Sequence, residues 1–318
     1  MKSICLILPW FGGPFKNYFQ FFLESCKNNP TVNWLIFTDC TQSYNYPENV
    51  KLVKCSFEYV RKRIQRIFDF EISLDRPYKL CDFKPSYGEV FQEELKNYDY
   101  WGYCDCDLIF GNIRKFISDD ILDKYEMLFT RGHLHIFKNN RKTNAFFRTI
   151  PEYEQKLSTN NSFAFDEWAG ISGAWDKSGK DYYDELVMDD IRTGFNAFRP
   201  TKEIAENTGP YSKKNVNESN IYKKMKNVFY KYDNGSLYRC YCLNRKKCTE
   251  EILYVHFQKR DFIVDKNLKN LSSFCIANGT FWQEECLYSD LLIDLLHDYL
   301  LYAKLLVKKY IKKIIGVA

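Results

Sequence analysis

The run Ser3-Ile-Cys-Leu-Ile-Leu8 constrains the fold most, because it is continuously apolar from Ile4 and only as long as a strand. A strand with no polar alternation has to be covered on both faces, which is the situation of a parallel sheet. It ends at Pro9-Trp-Phe-Gly-Gly-Pro14, a loop whose glycines let the backbone approach a ligand closely. Residues 15–27 then place Phe15, Tyr18, Phe19, Phe22, Leu23 and Cys26 at helical spacing. Asn33-Trp-Leu-Ile-Phe37 is a second buried strand, closed by Thr38-Asp39, and Val50–Cys55 is a third, weaker one. Strand, helix, strand at this spacing predicts a βαβ unit in an α/β protein: an open, mostly parallel sheet with helices on both faces. Ligands of such sheets lie beyond the carboxyl ends of the strands. Pro9, Phe11, Gly12, Thr38 and Asp39 are therefore expected to line a binding site, the alternative for each being an ordinary βα turn.

Residues 98–113 carry the chemistry. Tyr103-Cys-Asp-Cys-Asp-Leu-Ile-Phe110 reads as one buried strand that holds two carboxylates, Asp105 and Asp107, two residues apart and so on the same face. Like charges a few Å apart in an apolar run are costly unless a cation sits between them. A hard divalent ion suits such a pair, since Mg²⁺ or Mn²⁺ takes one or two carboxylates and fills its other positions with water and phosphate oxygens. The bland reading is a strand ending on a solvated edge.

With Trp101–Gly111 around it, this Asp-X-Asp resembles the motif of nucleotide-sugar glycosyltransferases of the GT-A type, and more closely bacterial transferases of capsule or lipopolysaccharide synthesis. The likeness covers most of residues 1–260 and is most specific in Lys84-Pro85, Trp101–Gly111, Arg131–His133, Asp166–Trp168 and His256-Phe257. It implies a GT-A-like fold, Mn²⁺ or Mg²⁺, and a UDP-sugar donor whose nucleoside lies against the Pro9–Gly13 and Thr38-Asp39 wall.

The stretch 78–88, about 20 residues before the metal strand, holds Lys79, Asp82 and Lys84, in the position where the resemblance puts residues that reach the donor sugar and its diphosphate. A lysine serves there as a point charge. In Arg131-Gly-His-Leu-His-Ile-Phe137 alternation places His133 and His135 on one face; Arg131 and His133 are read as a wall of the sugar or acceptor site, against plain strand packing. Phe163–Ile171 encloses Asp166 and Glu167 between aromatics, which raises a carboxyl pKa towards that of a base. Trp168 can stack on a sugar ring, and the resemblance directs the acidic pair to acceptor and donor hexose; the alternative is a helix N-cap. Glu251–Arg260 is a strand ending in His256, with Lys259 just beyond. By resemblance His256 is the third metal ligand and Lys259 grips the diphosphate, although the usual Gly-X-X-Lys-Pro continuation is absent.

Charge placement excludes a nucleic-acid partner. The chain has 46 basic and 41 acidic residues, and the +5 excess equals five lysines after residue 300 (Lys304, Lys308, Lys309, Lys312, Lys313), leaving the rest balanced. Residues 287–318 have helical spacing with charges that rule out an 18-residue apolar span, so a helix lying on an anionic membrane surface is expected, or one docked on the core. Residues 261–318 are thus read as a C-terminal helical region behind a domain of residues 1–260. Scattered cysteines, with no secretory leader, point to free thiols in a reducing cytoplasm, peripheral to the inner face of the membrane. The expected activity is transfer of a hexose to a saccharide or lipid-linked saccharide. The rivals are a non-catalytic carbohydrate- or membrane-binding protein on a degenerate transferase fold, and a metal-dependent phosphodiesterase or nucleotidyltransferase.

Overall fold

A computed structural model describes residues 1–184, 188–190, 226–244, 246–277 and 279–283. The chain opens as β1 (Ile4–Trp10), α1 (Phe19–Lys27), β2 (Val32–Thr38), β3 (Val50–Lys54) and α2 (Phe57–Gln65). α2 begins where Ser56 Oγ accepts the Tyr59 amide at 3.2 Å, a cap worth about 1 kcal/mol. Short helical turns fill 77–95 before β4 (Tyr100–Cys104). β1 lies parallel between β2 and β4, with Ile4 opposite both Val32 and Tyr100. β5 (Leu108–Phe110) leaves this sheet, and a hairpin of β6 (Met127–Arg131) and β7 (Leu134–Lys138) completes it in the order β3-β2-β1-β4-β7-β6. Its first four strands run parallel and the hairpin runs antiparallel.

The absence of alternation in β1 and β2 has the expected cause. Ile4, Leu6, Val32, Trp34 and Ile36 pack into one apolar layer with α1, while Cys5, Ile7, Leu35 and Phe37 pack into the other with α2 and 80–95. The α/β class therefore holds.

Two further sheets follow. β8 (Met188–Asp190) and β12 (Tyr254–His256) form a three-stranded sheet with β5. β9 (Lys226–Asp233), β10 (Ser236–Leu243), β11 (Lys246–Glu251), β13 (Ile263–Val264), β14 (Ser273–Ala277) and β15 (Thr280–Trp282) form a second six-stranded sheet. Asn234 and Gly235, both at positive φ, make its tight β9–β10 turn. This sheet covers α1, with Phe21 packed on Phe274 and Phe281 and Tyr18 on Phe257 and Phe262.

That packing corrects the reading of residues 261–318 as helical. Strands β13–β15 belong to the sheet begun at residue 226 and share its core, where Phe274 and Phe281 pack against Phe21 of α1 and Phe274 stacks on Tyr232 of β9. The amphipathic tail, 287–318, lies outside the described residues. Among the described residues no helix is long and apolar enough to cross a membrane, and each described cysteine is a free thiol.

Candidate metal centre and acidic loop

Asp105 and Asp107 do not sit in one strand. β4 stops at Cys104, residues 105–107 turn, and β5 departs to pair antiparallel with β12. Two adjacent carboxylates cannot be carried through a covered sheet, and the turn releases them at its carboxyl end. The same pairing sets His256 opposite Leu108, next to Asp107. Ligand atoms of Asp105, Asp107 and His256 consequently lie within 4.8 Å of one another.

The atoms of Asp107 divide their work. Oδ2 accepts the backbone N–H of Lys259, and Oδ1 lies 3.5 Å from His256 Nε2. Oδ1 is buried and has no hydrogen-bond partner among the described residues. A buried carboxylate oxygen without a donor is unfavourable unless a cation takes it. Carboxylate and imidazole donors in this grouping fit Mn²⁺ or Mg²⁺ with open positions left for water or phosphate.

Lys84, expected at the diphosphate, is engaged within the protein. Its ammonium is buried and bonds Asp105 Oδ1 at 2.9 Å, Asp166 Oδ2 at 3.0 Å and the Gly132 carbonyl at 2.7 Å. Burial would lower its pKa, but Asp105 and Asp166 hold it well above the usual lysine range. Asp105 in turn is kept below the usual carboxylate range, against burial, chiefly by Lys84 and then by His256 and Lys259. Burial pushes Asp166 up to about 6 in spite of Lys84. Glu167, the other member of the expected pair, is exposed, and Trp168 is half-buried at the head of the turn 168–172.

Asp82 is likewise occupied. It forms a fully buried pair with Lys79 at 2.8 Å and accepts the amides of Phe163 and Phe165 at 3.0–3.1 Å. It therefore positions the acidic loop and is not presented to a ligand. Of the wall residues, Pro9 continues β1 and Phe11 is buried against Phe57. The Thr38 hydroxyl accepts the Cys40 amide at 3.0 Å. Gly12, at φ 85°, and Asp39 stand at the surface beyond the carboxyl ends of β1 and β2. Lys259 is exposed beside the metal group; burial would lower its pKa, but Asp105 and Asp107 help to hold it above the usual lysine value.

His133 and His135 do not share a face, because the β6–β7 turn at Gly132-His133 breaks the alternation. His133 stacks on His256 with ring centroids 4.2 Å apart. His135 is buried on the opposite layer, hydrogen-bonded to Tyr103 at 2.7 Å and Ser172 at 3.3 Å. Arg131 stands at the end of β6 next to Asp184, whose carboxyl burial raises to about 6 while Arg131 and the Thr130 hydroxyl counter it.

Two contributors escaped sequence reasoning. A Cβ on Gly132 would stand 2.6 Å from Asp166 Oδ2 and 2.9 Å from Glu167 Cγ, so only glycine lets the hairpin meet the acidic loop. Tyr103 offers its ring to Lys84 at 5.4 Å and its hydroxyl to the Asp166 carbonyl at 3.2 Å. Gly132 was the one local signal of the turn, and the segment was read through it as an alternating strand; the Tyr103 contact had no signal at all.

Residues 6–285 match the model of a family of unknown function, DUF6625. No curated protein matches the chain. Among solved structures, the galactosyltransferase LgtC in complex with donor and acceptor sugar analogs is 8% identical. The alignment covers 80% of this chain and 87% of that one, with a TM-score of 0.41.

Proposed function

The chain belongs to the family of unknown function DUF6625, and we propose that it is a metal-dependent glycosyltransferase that moves a hexose from a UDP-sugar to a saccharide or lipid-linked saccharide acceptor. The observation that carries this reading is the grouping of Asp105, Asp107 and His256, with one buried Asp107 oxygen left without a hydrogen-bond donor among the described residues. The charge balance supports it. Three carboxylates, Asp105, Asp107 and Asp166, face two ammonium groups, Lys84 and Lys259, which leaves an uncompensated negative charge for a cation to meet.

In this account Asp105, Asp107 and His256 hold Mn²⁺ or Mg²⁺. The bound ion supplies positive charge against the phosphates of the leaving diphosphate. Lys259, exposed beside the group, adds a second positive charge there. Lys84 keeps Asp105 and Asp166 in fixed positions without leaving the protein interior. Asp166, whose carboxyl burial raises to about 6, and the exposed Glu167 are the two carboxylates that serve the acceptor hydroxyl or the ring cation that develops during glycosyl transfer. Surface polysaccharide synthesis, and a place on the inner face of the cytoplasmic membrane, belong to the same proposal.

The test is incubation with a panel of UDP-sugars and Mn²⁺, reading UDP release. The expected result is slow donor hydrolysis by the wild type that Asp107→Ala abolishes. Release from none of the donors, with a folded protein, contradicts the reading.

A further inference from the structure

We propose that Tyr78 is the ring on which the aromatic base of a nucleoside diphosphate stacks, so that the site selects nucleotides over inorganic polyphosphate. The inference rests on the donor-site reading above and assigns a specificity residue to it.

Tyr78 is 60% exposed, whereas the other aromatic side chains among the described residues are mostly packed. The chain next to it is anchored by side chains close by on both sides. Arg76 donates to the Asn160 carbonyl at 3.1 Å, and Lys79 is anchored by Asp82 at 2.8 Å and by the Lys156 carbonyl at 3.1 Å. The ring thus stands wet on an anchored stretch of chain, and an aromatic with two χ angles offers contact area at little cost in conformational entropy.

Its surroundings say what it would meet. Lys259 Nζ lies 4.6 Å from the ring centroid, and the amide of the same lysine holds Asp107 Oδ2. Gln258 and Lys259 both sit at positive φ, so the turn that carries this ammonium is shaped for that place. Pro77, the residue before it, has its Cγ 3.3 Å from where a Gly12 Cβ would be, so the turn that carries Tyr78 meets the loop beyond β1. A ligand with its phosphates at Asp105, Asp107 and Lys259 that extends towards β1 passes over Tyr78. The group it carries there is the nucleoside, and a flat base presents the face that a tyrosine ring stacks on. Inorganic pyrophosphate meets the same charges and leaves the ring unused.

The experiment compares Kd values for UDP, UDP-glucose and pyrophosphate, each with Mn²⁺, on wild type, Tyr78→Phe and Tyr78→Ala. Because the ring is exposed, both variants are expected to keep the wild-type Tm. Tyr78→Ala should weaken UDP and UDP-glucose by about tenfold and leave pyrophosphate within about twofold; Tyr78→Phe should retain nucleotide affinity. Equal weakening of UDP and pyrophosphate would show that the ring only steadies Lys259, and a loss confined to UDP-glucose would put a sugar on it. Either result, or no change, overturns the assignment while leaving the donor site standing. A wild type that binds none of the three overturns both.

Discussion

Replacing Lys84 by methionine is the perturbation most tightly determined by the geometry. The methionine fills a similar volume but removes the ammonium bonded to Asp105, Asp166 and the Gly132 carbonyl. The Asp166 side chain is 6% exposed and cannot recover its solvation, whereas that of Asp105, 23% exposed, recovers part. Removing one partner of a buried ion pair typically costs about 3–5 kcal/mol, and the half-buried Asp105 favours the lower part of that range. Urea unfolding at pH 7, followed by tryptophan fluorescence, measures it. The companion variant Lys84→Met/Asp166→Asn removes the more buried of the orphaned charges and should return roughly half of the loss, a coupling that separate contacts would not produce. Adding Mn²⁺ should stabilise Lys84→Met more than wild type, because a cation then replaces a cation. A loss under about 1 kcal/mol, or single-variant costs that simply add in the double variant, would refute the view of Lys84 as the tie between the two carboxylates.

His135 predicts a pH dependence away from the metal group. Burial depresses its pKa from 6.5 to about 3, so in that window the unfolded chain binds the extra proton. Its contribution to stability is complete above 6.5 and is lost as pH falls, by about 2 kcal/mol between pH 6.5 and 5; His135→Gln should flatten that part of the stability–pH curve, and an unchanged slope would contradict the assignment. Gly132→Ala should cost about 1–3 kcal/mol and displace the acidic loop, read as a lowered urea midpoint with weakened Mn²⁺ binding; wild-type values for both would show that the hairpin yields without effort.

How much of this was legible beforehand depended on whether the signal was local. The runs at Ile4–Leu8 and 33–37 announced buried parallel strands because every residue in them is apolar, and the two core layers confirm the cause. The closeness of His256 to the aspartates followed from a motif likeness, but the route, an antiparallel pairing of β5 with β12 across about 150 residues, left no mark in local composition. Asp105 and Asp107 were legible as a pair and misread as a strand, since period-two spacing looks the same in a turn between two strands. Lys84 and Asp82 were singled out as residues that reach the donor sugar and its diphosphate, and both are found in buried ion pairs. Their partners, Asp166 and Lys79, decide what they do, and a partner 82 residues away, as Asp166 is from Lys84, is invisible to spacing. The strands β13–β15 were missed because they are short and polar-flanked, and the core they join, which includes the side of α1 that they cover, is assembled from distant residues.

The central claim is that Asp105, Asp107 and His256 hold a divalent ion that receives a nucleotide diphosphate. Calorimetric titration of UDP tests it most directly, run with Mn²⁺ and then with EDTA on wild type and on Asp105→Ala/Asp107→Ala. The account predicts UDP binding that needs Mn²⁺ and disappears in the double variant. UDP binding of equal strength in EDTA, or persisting without the two carboxylates, would contradict it.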